Sequence, residues 1–538
     1  MSRLTSRQPL EKGLLTAFVA LVYSVPASMA QDTVQTEKVS ASHHGRSQAT
    51  KASLIVRGVE WALLVAVVAG FLDTLRFAAF YIPLPFAVNF GEGNILSAAL
   101  RIARGLTPYP PVGGPPYVVN VYGPVIYYLL APLVKWFGLS FTAPRLLVLA
   151  SGLAVALLLV LLLRHWTESW VIALGFGVSF LAVSMVRDWV YVLRVEMFAT
   201  ALSLAGLYIF AVRKSLLWPA LLFLAALFTK VTFLAAPIAC FLYMILSGDR
   251  RRAWQFTGWM LLFGTAGLLA LGLGTNGWGL FHMFMTHPDP YRLEWFFDRW
   301  IPFARLDFGL GAGAVTLGVL DIRRRNFSLP FIYCALASVM TLTVGKAGGD
   351  VNELLEWQAA MCLAAGCGYA ALRNYYKSEA AIVLIPIGVL VLVLLGLPQS
   401  LRLNPGLDGC PAAYRFAAQE PGQLLTENPG IATLSGKKIW LSEPFEFVFL
   451  GRAGRLDQEP LARMIGQRFF GLILIRKGPR ALEQGLKNPG PLSLFWPPQF
   501  AKAVLQNYHP VARFACAYAN VAYEPDRKRG TYAGADAR

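Results

Sequence analysis

Four stretches of this chain place groups suited to acid–base chemistry or anion binding inside otherwise apolar sequence. FGEGNILSAALRIARGLTPYPP, residues 90–111, sets Glu92 between two glycines. A carboxylate at a helix N-terminus is held ionised by the helix dipole and can serve as general base or metal contact; a plain helix-end charge fits the same place. VRDWVYVLRVEMF, residues 186–198, crowds Arg187, Asp188, Arg194 and Glu196 together. An arginine of this set either grips a phosphate bidentately or pairs with its own carboxylates. FTKVTF, residues 228–233, interrupts apolar sequence with Lys230, which either holds a phosphate as a point charge or snorkels to polar headgroups. GKAGGDVNELLEWQ, residues 345–358, gathers Lys346, Asp350, Asn352, Glu353 and Glu356 around a glycine-broken turn, with Glu353 and Glu356 on one helix face. The segment 275–305 adds His282, His287, Asp289, Glu294 and Asp298 among aromatics, at no metal-binding spacing. It reads as a solvated loop covering a cavity.

The elements that must carry these groups follow from composition. Only 14% of the 538 residues are charged and 56% are hydrophobic, with a mean hydropathy of +0.52. Apolar runs approaching the roughly 20 residues needed to cross a bilayer recur over 56–72, 144–163, 170–186, 197–212, 216–229, 231–247, 254–274, 306–320, 330–345, 355–372 and 380–397. The expected fold class is a polytopic α-helical membrane protein of about eleven spans. The net charge of +18 comes with no basic and aromatic interleaved strip, which excludes nucleic acid as a partner. In a membrane protein such an excess marks cytoplasmic loops, and GDRRR (248–252), DIRRR (321–325) and RNYYK (373–377) are read that way. Counting outward from them places 187–196, Lys230, 275–305 and 346–354 on the external face.

Segment 121–137 decides where Glu92 falls. It is short, holds Pro124, Pro132 and Lys135, and suits an interfacial or re-entrant helix better than a span. Glu92 is then external, and residues 95–102 form an amphipathic helix lying in the interface. A competing reading takes residues 1–30, with Arg3, Arg7, Lys12 and the apolar LLTAFVALVYSV before ASMA, as a signal peptide. That reading makes 121–137 a span and turns Glu92 to the cytoplasm. The expected organisation is an N-terminal segment 1–55, a transmembrane part 56–397 with a long first external loop 73–143, and an external soluble α/β domain 398–538 with a frayed tail. In that domain 438–450 and 471–475 look like strands and 458–470 like a helix. Cys410 and Cys516 are its two cysteines and are disulfide candidates if it is external; Cys240, Cys334, Cys362 and Cys367 lie in spans as small apolar residues.

The order of these features resembles the GT-C superfamily of integral-membrane glycosyltransferases, in particular bacterial members related to glycosyltransferase family 39. A first span precedes a loop with an acidic residue in GEGN (91–94), then A-L-x-x-A-x-G-x-x-P-Y (99–109), N-x-Y-G-P-V-I-Y-Y (120–128) and F-G-L-S-F-T-A-P-R (137–145). R-V-E-M-F (194–198), F-T-K-V-T (228–232) and G-G-D-V-N-E-L-L-E (348–356) complete the series, which covers residues 55–400. The resemblance implies transfer of a sugar from a polyprenyl-phosphate donor to a hydroxyl acceptor on a glycan, lipid or protein, at the external or periplasmic face of a cell (inner) membrane. It implies Glu92 as catalytic base or metal contact, with Arg194, Lys230 and Arg187 as donor-phosphate groups. Many members carry Asp or an acidic pair near Glu92, where this chain has Asn89, so a divalent cation is possible but not required by the sequence. The rival function class is a transporter or lipid flippase, which would show charges near the midplane and repeated halves.

Overall fold

The computed structural model describes residues 43–286, 290–375, 379–397, 405–487, 496–516 and 519–526. The signal-like run 1–30, His287, Asp289 and the tail after Asp526 lie outside the described residues. Most of every apolar run named above is helical, with breaks at Val183 and Asp307 and a helix that starts only at Ala235 in the run 231–247. Leu54–Tyr81, Thr142–Thr167, Glu196–Arg213 and Arg250–Gly274 are long and apolar enough to cross a bilayer. Leu293–Leu306 and Phe308–Arg324, bent by 86°, would add a fifth as a broken pair. Trp170–Ala182, Leu217–Leu227, Ala235–Leu246, Leu329–Gly345 and Ile382–Gly396 are apolar but shorter. Helix length alone thus supports fewer spans than eleven. The helices meet where small residues let backbones approach: a side chain at Gly313 would collide with Ala365, and one at Gly368 with the Gly313 carbonyl.

Within 121–137 the helix is Pro124–Phe137, 14 residues. At about 1.5 Å per residue it reaches roughly 21 Å, short of the ~30 Å hydrocarbon core. Its start is tied to the FTKVTF turn, since the Gly123 N–H donates to the Thr229 carbonyl (3.0 Å) and that of Val125 to Phe228 (3.2 Å). The expected interfacial helix at 95–102 is instead an interior one. Phe90–Ala103 has residues 91–99 all buried, because it is pressed between Pro124–Phe137 and Pro429–Leu434 from the C-terminal region. A side chain at Gly93 would meet the Gly430 backbone, so glycine is what permits this approach.

The C-terminal region holds a four-stranded sheet of order β1-β2-β4-β3: β1 Gln423–Thr426, β2 Phe470–Ile475, β3 Tyr508–Arg513 and β4 Val521–Pro525. β1 and β2 are parallel, while β2–β4 and β3–β4 are antiparallel. Alternation along the strands divides the sheet between two cores. Leu424, Leu472, Leu474 and Ala522 join the core that continues into the membrane helices. Leu425, Ile473, Ile475 and Tyr523 join Phe447, Trp496 and Phe500 on the other side. The expected strand at 438–450 is not one: Pro444–Arg452 is a helix. Pro444 at its first turn removes an N–H a strand would need, and Phe447 and Leu450, three residues apart, join the second core. The Cys410 and Cys516 sulfurs are bonded at 2.06 Å, closing the helix Cys410–Gln419 onto the β3–β4 hairpin.

Candidate functional site

Glu92 occupies the N3 position of its helix and closes a capping box with Asn89. Its Oε2 accepts from the Val88 N–H (2.7 Å), the Asn89 N–H (3.3 Å) and Arg145 Nη2 (2.8 Å). Its Oε1 accepts from Arg145 Nε (2.8 Å) and the Leu193 N–H (2.8 Å). Arg145 sends its remaining donors to the carbonyls of Tyr81 (3.0 Å), Leu84 (2.9 Å) and Phe86 (2.7 Å). Neither side chain has any solvent exposure. Glu92, expected as catalytic base or metal contact, is one half of an enclosed, fully partnered ion pair. It fastens the end of the first helix, the FGEGN turn and the 190–194 segment to one another. Arg145 heads the apolar run 144–163, and its isolation there was the available signal for a buried partner.

Arg194 lies on the other side of that segment, where a side chain at Gly91 would collide with its guanidinium. It stands over the Tyr122 ring at 5.7 Å and reaches Glu196 at 3.9 Å. Lys230 Nζ donates to Glu196 Oε1 at 2.8 Å and lies 3.7 Å from Glu353 Oε1. Burial opposes the Lys230 charge, but Glu196 and Glu353 together outweigh it and hold its pKa above the ordinary lysine value. Three of the sequence clusters thus converge. Glu196, Lys230, Thr232, Glu353, Glu356 and Trp357 line one narrow cleft, with free space of about 10 Å³. On its lining Glu196 Oε2 and Glu353 Oε2, and on the elements that carry these clusters Arg194 Nε, Asn94 Oδ1 and both amide atoms of Asn352, are buried with no hydrogen-bond partner. Such groups are costly unless something fills them.

Other candidates sit elsewhere. Arg187 pairs with Asp73 (3.1 Å) and Asp188 (3.4 Å) and donates to the Gly396 carbonyl (3.1 Å), so it ties the first helix to the last span. Asp350 is exposed and caps the Val351 N–H (2.7 Å). Lys346 is exposed, and its carbonyl accepts from Arg299 (2.9 Å). Among the described residues no three His, Cys, Asp or Glu side chains gather closely enough to hold a metal ion. His282 is a buried residue rather than a member of a solvated loop. Its Nδ1 accepts from the Asn120 N–H (3.1 Å) and its Nε2 donates to the Pro110 carbonyl (2.8 Å). Those partners demand the neutral ring, and burial, only partly offset by the Pro110 bond, lowers its pKa to about 4. The ring clamps the loop that follows the helix Phe90–Ala103.

No protein-family model matches the chain, and no curated protein sequence does. Solved structures do. ArnT from Cupriavidus metallidurans bound to undecaprenyl phosphate aligns at TM-score 0.54 and 14% identity, covering 85% of this chain and 97% of that one. The same protein in the apo state gives 0.55 at 13% identity with the same coverage. The Archaeoglobus fulgidus oligosaccharyltransferase tethered to an acceptor peptide gives 0.51 at 10% identity, covering 86% of this chain and 74% of that one. At such identities the likeness is one of fold. These are GT-C superfamily proteins, and the chain has the GT-C fold of a helical membrane protein, the fold its motif order led us to expect.

Proposed function

We propose that the chain is a membrane glycosyltransferase that moves a sugar from a polyprenyl-phosphate-linked donor to a hydroxyl acceptor at the outer face of the cell (inner) membrane. The observation that carries this reading is Lys230 beside Arg194 and Glu196, in a cleft edged by unsatisfied buried polar atoms at the ends of apolar helices. Two cations at the membrane edge suit a lipid phosphate entering laterally. A protein of the same fold has been seen with undecaprenyl phosphate, which supports the donor class.

In this reading the acceptor oxygen bonds to the anomeric carbon while the anomeric carbon–oxygen bond to phosphate breaks. The electron pair leaves with the polyprenyl phosphate, whose growing charge Lys230 and Arg194 stabilise. Glu353, which lines the cleft with one oxygen unpartnered, takes the acceptor proton. Glu196 holds both cations in place, and Glu92 with Arg145 fixes the segment that carries Arg194. Residues 56–397 form the membrane part and 398–538 the external domain, whose Cys410–Cys516 bond suits an oxidising compartment.

The test is transfer of labelled sugar from a panel of polyprenyl-phosphate sugars into the glycan, lipid and protein fractions of membranes containing the chain. Lys230→Met is expected to lower transfer by on the order of a hundredfold. Undiminished transfer by that variant would sink the reading.

A further inference from the structure

The C-terminal region does not merely rest on the membrane helices; one of its strands of backbone is woven into the first external loop. The Tyr117 N–H donates to the Trp440 carbonyl (2.8 Å) and the Ser442 N–H to the Tyr117 carbonyl (3.1 Å). Ser442 Oγ accepts from the Val119 N–H (2.8 Å) and donates to the Val119 carbonyl (3.0 Å). This pairing delivers the next residue, Glu443, to a defined place. Its Oε1 accepts from Asn94 Nδ2 at 2.8 Å, and its charge is felt by Arg194, Tyr122 and Tyr127. Phe445, two residues on, packs against Gly348 of the turn that carries Asn352 and Glu353.

Glu443 is thus fixed beside Asn94 and within electrostatic reach of Arg194, yet remains partly exposed. Asn94 is 1% exposed and spends its amide donors on Glu443 and the Val119 carbonyl, while its Oδ1 has no partner. Asn352, also 1% exposed, has neither amide atom satisfied. The Glu443 carboxylate beside the unpartnered Asn94 Oδ1 offers acceptors, and the unsatisfied Asn352 amide offers a donor as well. That set matches vicinal hydroxyls, each of which donates once and accepts. It does not match a phosphate, which only accepts.

We propose that Glu443 and Asn94 form the hydroxyl-recognising part of the site, so that the C-terminal region supplies a residue that positions a sugar ring beside the Lys230–Arg194 cations. The proposal rests on the glycosyltransferase reading but is separable from it. Glu443 binds ring hydroxyls and Lys230 binds phosphate.

Binding to the full-length protein in nanodiscs separates the two, using farnesyl phosphate and the farnesyl phospho-sugars of glucose, galactose, mannose and arabinose as probes. Wild type is expected to bind at least one sugar-bearing probe on the order of tenfold tighter than farnesyl phosphate, the worth of one or two hydrogen bonds to a charged acceptor. Glu443→Gln and Asn94→Ala should each shrink that ratio towards one while leaving farnesyl phosphate affinity within about twofold. The farnesyl phosphate arm of each sample reports that the variant is folded. A wild-type ratio near one for all four sugars, or a ratio unchanged in both variants, overturns the proposal even if Lys230→Met abolishes phosphate binding. Absence of farnesyl phosphate binding by wild type overturns the underlying reading as well.

Discussion

Replacing Glu92 by Gln is the sharpest probe of how this fold holds its site. The carboxylate accepts five hydrogen bonds, two from Arg145 at 2.8 Å and three from backbone N–H groups at 2.7, 2.8 and 3.3 Å. Gln keeps one acceptor oxygen and turns an NH2 towards donors that then have nowhere to go. Arg145, with no solvent exposure, stays charged without its counter-ion. Removing one partner of a buried pair costs about 3–5 kcal/mol, against a typical total stability of about 5–15 kcal/mol. The measurement is unfolding free energy in mixed micelles, followed by tryptophan fluorescence and paired with sugar transfer. We expect a loss of that size with transfer falling in parallel. Arg145→Met should be comparably destabilising, and the double variant Glu92→Gln/Arg145→Met less so than the sum of the two, since contacting residues do not add. If Glu92→Gln is as stable as wild type yet inert in transfer, the positioning role is wrong and Glu92 acts directly on substrate.

Three further outcomes follow from the same geometry. Glu353→Gln should lower the turnover number by on the order of a hundredfold with little change in donor KM, read from initial rates; an unchanged turnover number removes Glu353 as base. His282 is neutral and buried with its pKa depressed to about 4, so its contribution is present above the unfolded value near 6.5. It is lost as pH falls from there towards 4, by roughly 3 kcal/mol in all. His282→Gln should flatten that part of the stability–pH curve, and an unaltered curve would exclude His282 as its source. Cys410→Ser should cost about 2–5 kcal/mol of stability, since the bond closes a loop with a sequence separation of 106. Reductant should destabilise wild type but not the variant.

Much of this protein is legible in its sequence. Long apolar runs can satisfy their backbone in lipid only as helices, and every run is mainly helical. The motif order from GEGN to GGDVNELLE is similar to that of the GT-C superfamily, and the fold is the GT-C fold. Arg194, Glu196, Lys230 and Glu353 stood out as charges in apolar surroundings, and the structure joins them in one chain of ion pairs. Helix count was less legible, because several apolar helices are shorter than a bilayer is thick and hydropathy does not see where a helix breaks. The segment 438–450 misled because aromatic residues next to a proline suit a strand edge as well as a first helical turn.

Sequence by itself determined the class of the protein, the helices and the chemical types that gather at its site. Those depend on local composition and on the cost of leaving polar groups in hydrocarbon. Only the tertiary structure shows which carboxylate is enclosed and which faces the cleft. Glu92 and Glu353 look alike in sequence, yet Arg145, 53 residues further along the chain, encloses the first. The second lines a narrow cleft beside Lys230 and keeps one buried oxygen unpartnered. Glu443 carried no signal at all, because its place depends on a pairing between Tyr117–Val119 and Trp440–Ser442, more than 300 residues apart in the chain. Role follows from burial and partners, and those are properties of the packed chain.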